Sequence, residues 1–198
     1  MRIVRKIFVL FFFFFSFTNS SWSQTASEFI NNISIEASNI LSSKLSDEEK
    51  IVQLKKIGEK SVDIDGVGLY TLGKYRKTLT EAQKKQYKEL FRNYFLKSFS
   101  GRLVEYSDAK ITVLSEEVKN EKYTIVFSKL IGNSERPEVK IDWRVYTKDP
   151  ENLLIRDLII EGLSLARTQK EEFNSIIVNN DGNIEALFEN LSKFLENK

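Results

Sequence analysis

LLIRDLIIEGLSLARTQKEEF, residues 153–173, changes period halfway along. An apolar, β-branched run ends at Glu161-Gly162, and beyond Ser164 the apolar residues Leu165, Ala166 and Phe173 fall at helical spacing. Gly162 sits where the chain must turn out of a strand, a position that suits a residue without a Cβ. A strand running directly into a helix, with this much hydrophobic surface, needs a sheet to join.

The segment just upstream supplies one. Val139, Ile141, Trp143 and Val145 alternate with Lys140, Asp142, Arg144 and Tyr146, giving a strand with one greasy and one wet face. The period predicts four extended segments, at 109–118, 122–131, 138–147 and 152–163, joined by short polar turns that favour an antiparallel meander. Pro137 and Pro150 fall at strand ends, where a missing N–H is tolerated. Further upstream the period is helical. Phe29, Ile33, Ala37, Ile40 and Leu41 predict a helix over 26–45, and Ser46-Asp47-Glu48-Glu49 reads as a capping box opening a second helix to about residue 60. A short glycine-rich helix spans 64–73, and Thr80-Glu81-Ala82-Gln83 opens a helix to Phe99. Downstream come helices over 164–177 and from Gly182 or Asn183 to Glu196. The order defines one α+β domain over 24–198, a four-stranded curved antiparallel sheet covered on one face by about six helices.

The first residues have a different character. Arg2, Arg5 and Lys6 precede the apolar run Ile7–Phe17, and small polar residues follow, with Ser21 and Ser23 placed for cleavage before Gln24. This is the pattern of a cleavable signal peptide, residues 1–23, for export. As a helix the apolar run spans about 16 Å at 1.5 Å per residue, half the roughly 30 Å of a bilayer core. Removing the leader's cations turns the net charge of +2 slightly negative. The remaining lysines are interleaved with glutamates, so the clustered positive footprint of a nucleic-acid binder is missing.

With no His and no Cys, thiolate, imidazole and ordinary zinc chemistry are excluded. No phosphate-binding glycine loop or EF-hand loop is present, and no cofactor or metal is expected. Asp157 and Glu161 form the best carboxylate pair, but as strand residues they lie roughly 13 Å apart, beyond the reach of a glycosidase pair. They serve either as hydrogen-bond anchors at the strand end or as pocket groups. The aromatic stripe Tyr87, Phe91, Tyr94, Phe95 and Phe99 fits solid core packing and a cavity wall equally well.

The signature Asp157, Glu161, Gly162, Ser164 and Leu165 resembles the D-x-x-x-E-G-x-S-L pattern of the MlaC family, the toluene-tolerance type periplasmic phospholipid carriers. The resemblance continues through Leu72-Gly73-Lys74-Tyr75, Thr80, Gln83, Tyr87, Phe91, Leu103 and Tyr106, over most of the chain after the leader. The chain departs from the pattern at Arg76, where the family commonly has Trp. It departs again at Phe99, often Tyr in the family, and at Thr168-Gln169-Lys170, where the family often carries N-Y-R.

The resemblance implies that the domain encloses an apolar cavity for a phospholipid. On this expectation Tyr70, Leu72, Phe91, Tyr94, Phe95, Phe99 and Tyr106 wall the cavity from the helices. Val113, Ile125, Phe127, Val139, Ile141, Trp143, Leu158 and Ile160 wall it from the sheet, and Leu163, Leu165 and Phe173 guard the signature end. Asp157, Glu161, Gly162 and Ser164 are structural. The implied protein is a periplasmic monomer, not an enzyme. It docks transiently on an outer-membrane lipoprotein–porin complex and on an inner-membrane lipid ABC transporter, maintaining outer-membrane lipid asymmetry. Three other readings stay open: a carrier of hopanoid or other apolar lipid, a small enzyme using Asp157 as a base in an apolar pocket, and an interaction module with a solid core.

Overall fold

A computed structural model of the chain describes residues 24–105, 110–132 and 137–197. The expected leader and Tyr106 lie outside the described residues. Among them are six α-helices and five strands.

Local chemistry accounts for the helix starts. Helix α1, Ala26–Leu41, opens on a capping box of Thr25 and Glu28. Helix α2, Asp47–Ser61, opens on Ser46 and Glu49, and helix α4, Glu81–Val104, on Thr80 and Gln83. In each, side chain and backbone satisfy one another's free N–H groups. Helix α1 stops short of the expected Leu45, because the hydroxyls of Ser42 and Ser43 donate to the carbonyls of Ser38 and Ile40 and close the last turn. Between α2 and α4 lies α3, Ile64–Thr71, capped by the Asp63 carboxylate on the Gly66 N–H at 2.9 Å, then a 3-10 turn over Gly73–Lys77. Helices α5, Leu165–Val178, and α6, Ile184–Glu196, close the chain.

The sheet is an antiparallel meander in the order β1 Ile111–Asn120, β2 Tyr123–Leu130, β3 Val139–Tyr146, β4 Leu154–Ile160, β5 Leu163–Ser164. The fifth strand is the difference from the four expected. Glu161 and Gly162 both have positive φ, 48° and 82°, so the chain reverses in a two-residue turn and Leu163 pairs back onto Ile160. The long strand expected over 152–163 is thus a hairpin.

Register assigns the two faces. Ile141, Trp143 and Val145 stand opposite Ser128, Val126 and Thr124, and α1 lays Ala26, Ile30, Phe29 and Ile33 over this face. The opposite face carries Tyr123, Ile125 and Phe127 against Tyr146, Arg144 and Asp142. A register shift in β4 pairs Arg144 with Asp157 but Val145 with Ile155, so Arg156 is an inserted residue. The bulge carries Ile155 to the α1 side and Asp157 to the other, which plain alternation would not do. A second core joins α3 to α6 through Ile64, Leu72, Tyr87, Phe91, Phe173, Ile177, Leu187 and Leu191. Helix α3 crosses α4 closely at Gly68, where a Cβ would stand 2.7 Å from a ring carbon of Phe91.

Candidate functional site

On the sheet face away from α1, a cavity of about 680 Å³ lies between the strands, helix α3 and the start of α5. That volume falls within the roughly 300–1,000 Å³ typical of small-molecule sites. Val67, Ile125, Phe127, Ile159 and Ala166 form its apolar part; Gly66, Tyr70, Lys119, Asn120, Tyr123, Asp142, Arg144 and Arg156 complete the lining. Polarity is graded along the strands. Lys119, Asn120 and Tyr123 sit at the β1–β2 turn, Arg144 stands opposite Ile125 one row in, and Phe127 with Asp142 and Ile159 forms the row beyond.

The cations at the polar end are held to different degrees. Arg156 pairs through Nε with Asp63, lies 4.7 Å above the Tyr146 ring and reaches the Tyr123 hydroxyl at 3.5 Å. Lys119 pairs with Glu117 at 2.6 Å. Arg144 approaches Asp157 Oδ2 only to 3.6 Å and remains half exposed.

The signature residues build the end of the cavity. Asp157 is buried; its Oδ2 accepts the Ser164 hydroxyl at 2.6 Å and its Oδ1 accepts the Ala166 N–H at 3.0 Å. Ser164 in turn accepts the Arg167 N–H at 3.1 Å as the N-cap of α5. Glu161 accepts the Lys140 N–H at 2.6 Å, fastening the turn to β3. One carboxylate thus fixes where α5 leaves the sheet, and so where Ala166 meets the cavity. Both of its oxygens are occupied by these donors.

The expected wall residues are distributed over four places. Tyr70, Ile125 and Phe127 line the cavity. Val113, Val139, Ile141, Trp143 and Leu158 belong to the core under α1, and Ile160 pairs with Ile141 on that same face. Leu72, Phe91, Tyr94, Phe95 and Phe173 belong to the α3–α6 core, with Phe99 stacked on Phe95 at 5.7 Å. Leu163 and Leu165 are exposed. Within the helical core, burial pushes the Tyr87 phenol well up, only partly countered by its hydrogen bond with Thr71 at 2.8 Å. Tyr94 is raised by burial and by nearby Glu172, against its hydrogen bond to Gln169 at 2.9 Å.

Lys119, Asp142, Arg144 and Arg156 escaped the sequence reading, because a charged residue facing a cavity has the same alternation as one facing water. The bulge at Arg156 is the one physical signal, and it becomes visible only in the register.

A curved antiparallel meander with helices on its flanks and an amphipathic cavity against one face defines an α+β binding-type fold. The chain belongs to the MlaC family: residues 31–193 match the family described as MlaC protein. Its fold is shared with a phospholipid-binding protein from Ralstonia solanacearum, solved in complex with a phospholipid, at a TM-score of 0.72. The match covers 87% of this chain and 97% of that one at 17% identity.

Proposed function

We propose that this protein is a periplasmic phospholipid carrier, exported by its leader. It takes lipid at one membrane and gives it up at the other, between an outer-membrane lipoprotein–porin complex and an inner-membrane lipid ABC transporter. The observation that carries the reading is the cavity itself, apolar toward Phe127 and Ile159 and cationic toward Tyr123 and Arg144, in a member of the MlaC family. The phospholipid bound to the Ralstonia protein of the same fold supports the same reading.

The energetics demand such a site. Two acyl chains of about 16 carbons expose about 32 methylenes, and at about 0.8 kcal/mol each their transfer through water costs on the order of 25 kcal/mol. A carrier lowers that barrier by keeping the chains against apolar side chains while the headgroup stays hydrated at the open end. No chemical step is needed, and the Asp157 carboxylate, engaged by Ser164 and Ala166, has a sufficient structural task. Among the described residues no helix is long and apolar enough to cross a membrane.

The test is transfer of a self-quenched fluorescent phospholipid from donor to acceptor vesicles. The exported protein accelerates dequenching in proportion to its concentration; a rate equal to spontaneous exchange at all concentrations would overturn the proposal.

A further inference from the structure

We infer that the cavity selects lipids with a net anionic headgroup, and that Arg144 is the residue that reads the phosphodiester. The inference rests on the carrier reading and adds the class of lipid. Arg144 projects from β3 beside Ile125, at the boundary between the apolar rows and the polar turn. A guanidinium presents five donors in a planar fork suited to a phosphate. Among the described residues it has one distant ion pair, 3.6 Å to an Asp157 oxygen that already receives the Ser164 hydroxyl at 2.6 Å. At that distance the pair is Coulombic rather than a hydrogen bond, so the fork keeps donors for a ligand.

Of the three cations lining the cavity, Arg144 is the most loosely paired. Lys119 and Arg156 stand at the same end, each already paired with a carboxylate, Glu117 and Asp63, and Tyr123 and Asn120 add polar groups. Asp142 is the one acidic residue lining the cavity among the described residues, and it stands a row further in, between Phe127 and Ile159. It repels a phosphate from the apolar end. The gradient therefore orients a lipid with its phosphodiester at Arg144 and its chains toward Phe127 and Ile159. A zwitterionic choline headgroup brings a quaternary ammonium into the same cationic end and gains less. Because Arg144 is half exposed, the discrimination is modest and sensitive to salt.

The experiment loads the exported protein, delipidated in detergent and returned to low-salt buffer, from vesicles of equal parts phosphatidylglycerol and phosphatidylcholine. Bound lipid is extracted and counted by class. The wild type takes phosphatidylglycerol over phosphatidylcholine by about two- to fivefold, as expected for a partly exposed charge pair, and the ratio narrows at high salt. Arg144→Gln brings the ratio near one, with its fold checked by far-ultraviolet circular dichroism, and Arg144→Lys, which keeps charge without the fork, falls between. Should Arg144→Gln not fold, Arg144→Lys and Lys119→Gln carry the test, each lowering the ratio. An unchanged ratio in the variants, or a wild type that prefers phosphatidylcholine, overturns the inference and leaves the carrier standing. A wild type that loads neither lipid overturns both. If inorganic phosphate alone, at matched ionic strength, raises the melting temperature of the wild type but not of Arg144→Gln, the site reads free phosphate and the lipid assignment falls.

Discussion

Asp157→Ala is the most informative single substitution in the structural frame. The carboxylate is buried at the junction of β4 and α5 and holds two donors, the Ser164 hydroxyl at 2.6 Å and the Ala166 N–H at 3.0 Å. Hydrogen bonds to a charged acceptor contribute roughly 1.5–3 kcal/mol each, and orphaning a buried donor has a similar cost. Asp157→Ala therefore destabilises by about 3–4 kcal/mol, after allowing for relief of the carboxylate's own desolvation. Asp157→Asn keeps one acceptor oxygen and costs about 1–2 kcal/mol. Ser164→Ala loses the α5 N-cap and one bond, for about 1–2 kcal/mol. Since Asp157 and Ser164 share a bond, the double variant Asp157→Ala/Ser164→Ala costs less than the sum by about 1 kcal/mol or more. Urea unfolding followed by far-ultraviolet circular dichroism measures all four proteins. An Asp157→Ala variant within about 0.5 kcal/mol of wild type, the range of ordinary surface changes, refutes the assigned role. Strict additivity of the two single variants refutes the shared bond.

Three other perturbations have definite outcomes. Gly68→Ala drives a Cβ to 2.7 Å from the Phe91 ring, so α3 and α4 must separate and stability falls by about 1–3 kcal/mol in thermal unfolding; a neutral result would mean the crossing is looser than it looks. Tyr87 has a phenol raised above its ordinary 10.0 by burial, so its stabilising contribution is complete below about pH 10 and is lost as pH rises from there through the folded value; alkaline unfolding of Tyr87→Phe, compared with wild type, shows a later onset above pH 10, and identical curves contradict the assignment. Lys97 on α4 donates to the carbonyls of Phe194, Leu195 and Asn197 at the end of α6, and Lys97→Met lowers stability by about 0.5–1.5 kcal/mol, with faster hydrogen exchange confined to the last turn of α6.

The elements were legible in the sequence where local chemistry decides them. Ser46 with Glu49 and Thr80 with Gln83 act as capping boxes, and the alternation in Val139–Tyr146 is a strand with one buried face. The tight turn at Glu161-Gly162 was legible as a bend but not as a hairpin, because αL backbone at Glu161 is set by pairing of Leu163 on Ile160 rather than by its own preference. The face bearing the cavity was not legible at all. Trp143 and Ile141 are the greasier choice, yet α1 claims them, and the cavity opens on the face of Arg144 and Asp142. Ile125 and Trp143 cannot serve one wall, since Ile125 stands opposite Arg144 in the register. The stripe Phe91, Tyr94 and Phe95 closes on Phe173, with Phe91 and Phe173 edge to face at 6.2 Å, and reads as core because Phe173 of α5 reaches into it there. Which helix covers which stripe is a tertiary decision that no spacing in one chain encodes.

As isolated from the periplasm, the proposed carrier holds phospholipid in its cavity. Native mass spectrometry of the protein exported to the periplasm, followed by organic extraction of what it holds, tests this most directly. The expected result is a bound mass of one phospholipid per chain, lost on extraction and identified by its fragment ions. A single apo mass, with no lipid recovered from protein shown to be folded, would contradict it.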